Sequence, residues 1–141
     1  MTLIHAALDS PPALPRIALH ADRLTLAKRR WRGIAEDGVE FGFDLAAPLV
    51  DDVAFFASET ALYVLAQKSE PVLEVALIPK AAPVARLGWT IGNFHFPIQV
   101  TDEVIRVPDD IALRQLFERE KIPFTACERV FVPFANAHSH E

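Results

Sequence analysis

Three histidines stand where their side chains could bind a metal ion. His95 follows Gly92 and Asn93, a pair that is typical of the end of a helix, and it precedes an apolar run. His138 and His140 are separated by one residue at the end of the chain. Imidazole nitrogens bind Ni²⁺, Cu²⁺ and Zn²⁺, and a ligand on a loop or a free end can exchange its partners. This arrangement suits a protein that carries a metal ion.

The segment around His95 resembles a motif of a known family. Residues 92–100 read Gly-Asn-Phe-His-Phe-Pro-Ile-Gln-Val, which is similar to the Gly-Asn-x-His-x-Pro-x-Gln core of the urease accessory protein UreE, a family of nickel metallochaperones. Three further segments resemble the family in the same order along the chain, namely residues 26–45, 69–75 and 131–137. The resemblance implies that His95 is the main ligand of Ni²⁺ at the interface of a homodimer, and that His138 and His140 supply further donors.

The family resemblance also implies partners for the chain. Nickel would pass to the GTPase UreG, which acts with the urease accessory complex, and ultimately to the urease apoprotein. Two positions depart from the pattern, because many family members place a histidine and an arginine where this chain has Thr90 and Phe94. The tail carries two histidines where many relatives have a long run. We therefore expect transfer of an ion rather than storage of several.

Two other functions compete with a nickel carrier. The first is a partner-binding adaptor in which the histidines are incidental. The second is a small enzyme, such as an isomerase that uses His95 as a base. The sequence has no Ser/His/Asp or Cys/His arrangement and no glycine-rich phosphate motif, so we expect that the protein is not an enzyme. Imidazoles also bind Cu²⁺ and Zn²⁺, so selectivity for nickel would have to come from the availability of each metal and from the partner proteins.

Composition excludes several other classes of protein. The chain has 141 residues, 51% of them hydrophobic, which is enough for a buried core. A single cysteine, Cys127, cannot form an internal disulfide or a closed thiolate zinc site, and we expect it to be a small buried residue in a strand. The net charge of −5 argues against nucleic-acid binding. No apolar run approaches the roughly 20 residues of a membrane span and no leader is recognisable, which predicts a cytoplasmic protein.

The pattern predicts an α+β fold with two domains. Residues 1–71 are expected to form a small all-β domain. Residues 1–15 are expected to be a loose arm or an edge segment in which no core begins, followed by strands from residue 23 onward and by hairpins at Asp37-Gly38 and at residues 58–60. Proline and polar residues mark the boundary near residue 71. The family resemblance implies that the first domain contacts partner proteins.

The second domain is expected to span residues 72–134 and to have a ferredoxin-like βαββαβ arrangement. Its first helix carries Val84, Leu87 and Ile91 on one face and ends at Gly92-Asn93. Strands are predicted at residues 96–100, 104–107 and 124–132. A second helix is expected between a cap at Asp109-Asp110 and a stop at residue 123. Residues 135–141 are expected to form a flexible tail that carries His138 and His140.

Overall fold

The computed structural model describes residues 1–77 and 81–134, and its helices and strands form an α+β fold, as the sequence predicts. The chain divides into two compact units, Met1–Lys68 and a second that begins at Ser69. The division lies just before the boundary expected near residue 71, because the strand that opens the second unit already includes Glu70 and Pro71. No helix in the described part of the chain is long and apolar enough to cross a membrane.

The first unit is built mainly from strands in two three-stranded sheets. Its elements are β1 (Thr2–Ile4), β2 (Arg16–Ala21), α1 (Arg23–Leu26), β3 (Arg30–Ile34), β4 (Glu40–Asp44), β5 (Ala54–Ala57) and β6 (Leu62–Gln67). The strand orders are β1-β4-β3 and β2-β6-β5. Both predicted hairpins are confirmed, since β3 pairs antiparallel with β4 and β5 with β6. In the first turn Gly38 has a φ of 91°, whereas Asp37 does not take the positive φ that we expected.

Two expectations about the first unit are wrong. Residues 23–26 form a short helix instead of a strand, because the Asp22 side chain accepts a hydrogen bond from the Thr25 N–H at 2.7 Å and caps the turn. Residues 1–15 contain an edge strand, which is one of the two predicted alternatives, because β1 pairs in parallel with β4 at the edge of its sheet. The expectation that no core begins there is wrong, because Ile4 is buried. A three-residue strand is too short to show a hydrophobic period in the sequence. The unit is therefore not wholly β, and its core begins at the first strand.

The second unit alternates strands and helices around one sheet. Its elements are β7 (Glu70–Ala76), α2 (Ala81–Asn93), β8 (Gln99–Val100), β9 (Val104–Pro108), α3 (Ile111–Arg119) and β10 (Thr125–Arg129). The strand order is β10-β7-β9-β8 and every pair is antiparallel. Both helices pack on one face of the sheet, and the buried residues of that core are Leu73, Val75, Leu87, Ile91, Ile105, Val107, Leu113, Leu116 and Phe117. The stripe predicted on α2 is therefore the face that contacts the sheet.

Several element ends differ from the sequence prediction. The strand expected at residues 96–100 is only Gln99–Val100, because Pro97 lacks an N–H and the side chains of Phe96 and Ile98 pack against the core of the unit. The last strand is also shorter than residues 124–132. Asp110 caps α3 as predicted, accepting from the Ala112 N–H at 2.8 Å. However, α3 ends at Arg119, before the proline expected to stop it.

Candidate metal site

His95 lies just beyond the end of α2, with its side chain exposed to solvent. Its N–H donates to the Gly92 carbonyl at 3.0 Å, and the Phe94 N–H donates to the Ile91 carbonyl at 3.1 Å. The residue with the left-handed backbone at this helix end is His95, with a φ of 63°, and neither Gly92 nor Asn93 has a positive φ. The helix therefore ends at Asn93, as predicted, but the left-handed conformation that Gly92 and Asn93 would tolerate occurs at His95 instead. The backbone that presents the imidazole is fixed by the turn itself.

The local sequence explains this turn. A left-handed residue just after a helix leaves the last carbonyls with hydrogen-bond partners, and histidine adopts that conformation more readily than most residues other than glycine. The same device ends α3, where Lys121 has a φ of 57° and the Ile122 N–H donates to the Phe117 carbonyl at 2.8 Å. Pro97 then keeps Phe96 away from helical geometry. His95 is consequently held at a reversal of the chain, with its ring in solvent.

The end of the described chain runs beside the residues that follow His95. The Phe134 N–H donates to the Ile98 carbonyl at 2.8 Å, and the Val132 N–H donates to the Gln99 side chain at 3.0 Å. The last described residue therefore lies beside Ile98, which follows His95 by three residues in the sequence. His138 and His140 lie outside the described residues.

No group of three or more His, Cys, Asp or Glu side chains that could hold a metal ion occurs within residues 1–77 and 81–134. The described part of one chain therefore offers His95 as a single donor at this place. The other histidines of this part have protein partners: His5 Nδ1 lies 3.0 Å from the Asp44 carbonyl oxygen, and His20 Nε2 lies 3.4 Å from Glu36 Oε1. A complete coordination shell would need donors from the tail or from a second chain.

The two positions where the sequence departs from the family pattern add no nitrogen donor. The hydroxyl of Thr90 donates to the Arg86 carbonyl at 2.9 Å, so it is used within α2. Phe94, just after α2, is 52% exposed, and Trp89, on α2, is 70% exposed. Large aromatic side chains in solvent next to a proposed ligand are typical of surfaces that contact another protein.

Cys127 does not behave as a simple buried apolar residue. It lies in β10, as predicted, but it is half-buried. Burial and a hydrogen bond to the Glu74 carboxylate raise the pKa of its thiol. Because the thiolate is the form that binds metals, this environment makes Cys127 a poor ligand.

A row of polar side chains crosses the sheet next to the last described residues, and the sequence did not indicate a role for it. Glu74 on β7 is paired in register with Arg106 on β9, which is paired with Gln99 on β8. Arg106 Nε donates to Glu74 Oε2 at 2.7 Å, and both side chains are largely buried, with 15% and 13% exposed. The sequence shows polar residues in neighbouring predicted strands. Only the register of strand pairing, which the sequence does not give, places Glu74, Arg106 and Gln99 opposite one another.

The ion pair in this row makes stability depend on pH. Burial raises the pKa of the Glu74 carboxyl, but hydrogen bonds from Arg106 and Cys127 and the charges of Arg106 and Arg129 outweigh it, so the pKa lies below its ordinary value of 4.5. The stabilisation from a lowered carboxyl pKa is complete above the unfolded value and is lost as the pH falls through the folded one. We expect Glu74→Gln to be less stable than wild type by about 1–2 kcal/mol at neutral pH, with the difference shrinking below about pH 4.5.

Urea unfolding at neutral and acidic pH measures this effect. Glu128→Gln, at an exposed position of β10, is the matched control and should follow the wild-type pH dependence. An equal loss for Glu74→Gln at both pH values would show that the carboxylate charge is not responsible.

The comparisons with known proteins all identify the same family. A family model described as the UreE urease accessory protein, C-terminal domain, matches residues 70–141. A urease accessory protein UreE of Paracoccus denitrificans is 32% identical over 113 residues, which cover 79% of this chain and 70% of that protein. The protein of the same name from Nostoc sp. PCC 7120 is 27% identical, over 99% of this chain and 97% of its own length. That of Pseudomonas fluorescens is 26% identical, over 99% and 87%.

Proposed function

Since this chain belongs to the UreE family of urease accessory proteins, we propose that it acts in urease maturation as a nickel metallochaperone. Two copies form a homodimer in which His95 of each protomer binds one shared Ni²⁺, and His138 and His140 contribute further imidazoles. The family is one of accessory chaperones, which excludes the small enzyme that we considered from the sequence. The cargo passes to UreG and the accessory complex, and from there to the urease apoprotein, in the cytoplasm.

One observation carries this proposal: His95 is exposed on a left-handed turn at the end of α2, and Ile98, three residues further along the chain, is hydrogen-bonded to the last described residue, Phe134. A two-fold dimer interface brings the same residue of both protomers together, so one histidine per chain supplies two ligands to a shared ion. The exposed rings of Trp89 and Phe94 provide apolar surface on the same part of the unit. A site made of a few imidazoles leaves coordination positions open, through which an acceptor protein can take the ion. Without thiolates, such a site also binds Cu²⁺ or Zn²⁺.

We propose different functions for the two domains of the chain. Residues 72–134 form a ferredoxin-like metal-binding domain, supported by the antiparallel order β10-β7-β9-β8 with both helices on one face. Residues 1–71 form a β-rich domain that binds partner proteins. The predicted tail, residues 135–141, lies outside the described residues. The alternative is a partner-binding adaptor whose histidines are incidental. A measurement of nickel binding distinguishes it from a nickel carrier.

Nickel titration combined with light scattering tests the proposal. We expect the full chain to have the mass of a dimer and to bind one tightly held Ni²⁺ per two chains, because each protomer supplies only part of the ligand set. Isothermal titration gives the stoichiometry, and multi-angle scattering on the same sample gives the mass. A monomer in the presence of nickel, or an ion bound tightly by each single chain, would contradict a shared site.

A further inference from the structure

The sheet β1-β4-β3 of the first unit has one face in the core and one face in solvent. On the inner face Phe41 and Phe43 are buried, and the residues between them along the strands belong to the outer face. Leu3 and Arg32 both pair in register with Gly42, so the three residues lie on the outer side together. Leu3 is 58% exposed. A large apolar side chain and a cationic one therefore stand in solvent on either side of a glycine.

Gly42 makes the middle of this outer face low. A Cβ atom at this position would lie 2.9 Å from Leu3 Cδ2 and 3.2 Å from Met1 Cε, so the glycine leaves room for both side chains to lie across β4. The resulting open depression has a volume of about 560 Å³ and is bordered by Arg30 and Arg32. Met1 is also largely exposed, at 64%. Neighbouring apolar side chains in solvent with a polar border are typical of sites that bind another molecule.

The charges around the depression differ between its two ends. Residues 28–32 include four basic residues and no acidic one. Arg30 Nε donates to Asp44 Oδ1 at 3.1 Å, which neutralises one of these charges. Arg32 makes no ion pair within the part of the chain that the structure describes. Glu40 lies at the other end of β4. One end of the face therefore carries an excess of positive charge, although the chain has a net charge of −5.

We propose that this outer face is the docking site for an acidic segment of a partner protein. The segment places an apolar side chain over Met1 and Leu3 and a carboxylate on Arg32. The inference rests on the proposed function, in which residues 1–71 bind partner proteins. It adds the surface that makes the contact and the chemistry of the segment that the surface accepts.

The chemistry of the face selects this kind of occupant. A guanidinium such as that of Arg32 can donate two parallel hydrogen bonds to one carboxylate, a geometry that fixes the position of an acidic side chain. An apolar side chain laid on Leu3 removes both from water, which is favourable. An anionic membrane would instead meet the carboxylates of Glu40 and Asp44, which lie on the same face and would repel it.

Binding of purified UreG to the full chain tests the proposal, because UreG is the proposed acceptor of the cargo. Its affinity is measured by biolayer interferometry for the wild type, Arg32→Glu and Leu3→Thr, where threonine keeps a strand-forming residue. Lys68→Glu and Leu24→Gln change an exposed cation and an exposed leucine elsewhere in the first unit, and they are the matched controls. Thermal unfolding and a nickel titration of each variant verify that the fold and the metal site are retained.

The two variants of the outer face should lose affinity for UreG. Arg32→Glu is expected to weaken binding by at least about tenfold, because it places like charges opposite one another. Leu3→Thr should weaken it by about fivefold through lost apolar burial. The controls should stay within about twofold of wild type. Raising NaCl from about 0.1 M to about 0.5 M should weaken the wild type more than Arg32→Glu, because salt screens the contact that the variant lacks.

Several results would overturn the proposal. Wild-type affinity for UreG in Arg32→Glu or in Leu3→Thr would do so, as would an equal loss in Lys68→Glu. Loss of self-association, or of binding to phosphatidylserine vesicles, without a change in UreG binding would assign the face to another occupant. Each of these leaves nickel binding intact, so the proposed carrier would stand. Absence of UreG binding by the wild type would overturn the inference together with the proposed transfer of nickel.

Discussion

His95→Asn is expected to weaken nickel binding by at least about a hundredfold while leaving the fold intact. Each imidazole contributes several kcal/mol to a metal site, and the substitution removes one from each protomer of the dimer. Asparagine tolerates the left-handed backbone that His95 adopts, at a φ of 63°, so the turn after α2 should survive. Equilibrium dialysis against ⁶³Ni²⁺ gives the affinity, and thermal unfolding verifies that stability is unchanged.

The substitution at residue 95 must remove the imidazole without disturbing the backbone turn, so that a loss of binding can be assigned to the ligand. Alanine at residue 95 would add roughly 1–2 kcal/mol of backbone strain, so a loss of binding could reflect loss of the turn. His95→Gly removes the ring and relaxes the backbone, and it should bind nickel as weakly as His95→Asn. His20→Asn, which removes an exposed imidazole from the first unit, is the matched control. If both His95 variants bound nickel at wild-type strength, the adaptor alternative would be favoured.

Phe117→Ala is expected to lower the free energy of unfolding of the second unit by about 3–5 kcal/mol and to weaken nickel binding with it. Phe117 is fully buried on α3 and its ring packs 5.6 Å from that of Phe124. A unit of this size has little stability to spare, so a substantial fraction should unfold and lose the turn that holds His95. Hydrogen exchange measured by mass spectrometry over residues 104–119 reports the loss locally.

The matched variant lies in the first unit. Phe41 is also fully buried, with the ring centroids of Phe55, Phe56 and Tyr63 at 5.1, 5.5 and 5.0 Å. Phe41→Ala should lose a similar amount of stability, visible as faster exchange over residues 40–65, and should keep nickel binding, because the proposed ligands belong to the other part of the chain. Excess nickel should restore protection in the Phe117→Ala variant by binding its folded state. Loss of nickel binding in Phe41→Ala alone would place the site elsewhere.

The parts of the fold that sequence reasoning predicted share a local origin. Alternating apolar residues and a glycine turn indicated the hairpin of β3 and β4, and the spacing of Leu87 and Ile91 indicated the buried face of α2. The expectations that proved wrong involved elements with little local pattern. β1 is too short to show a period, and the Asp22 cap makes a helix of only four residues.

The candidate site was predictable in its main residue but not in its geometry. The motif predicted His95 as the candidate ligand and the end of α2 at Gly92-Asn93, but it did not indicate that the left-handed residue would be the histidine itself. Gln99 belonged to the same motif, but nothing in the local sequence pairs it with Val132, which is 33 residues away. Side chains on different strands meet only after the sheet has chosen its register.

The sequence by itself determined the class of fold, the stripe on α2, the cap of α3 and the histidine that is proposed to bind the cargo. These follow from periods and caps that each need only a few neighbouring residues. The tertiary structure decided that Glu74, Arg106 and Gln99 stand in one row and that Phe134 lies beside Ile98. Such contacts depend on the packing of many distant side chains at once, because strand register is set by the burial of a whole face rather than by any single residue.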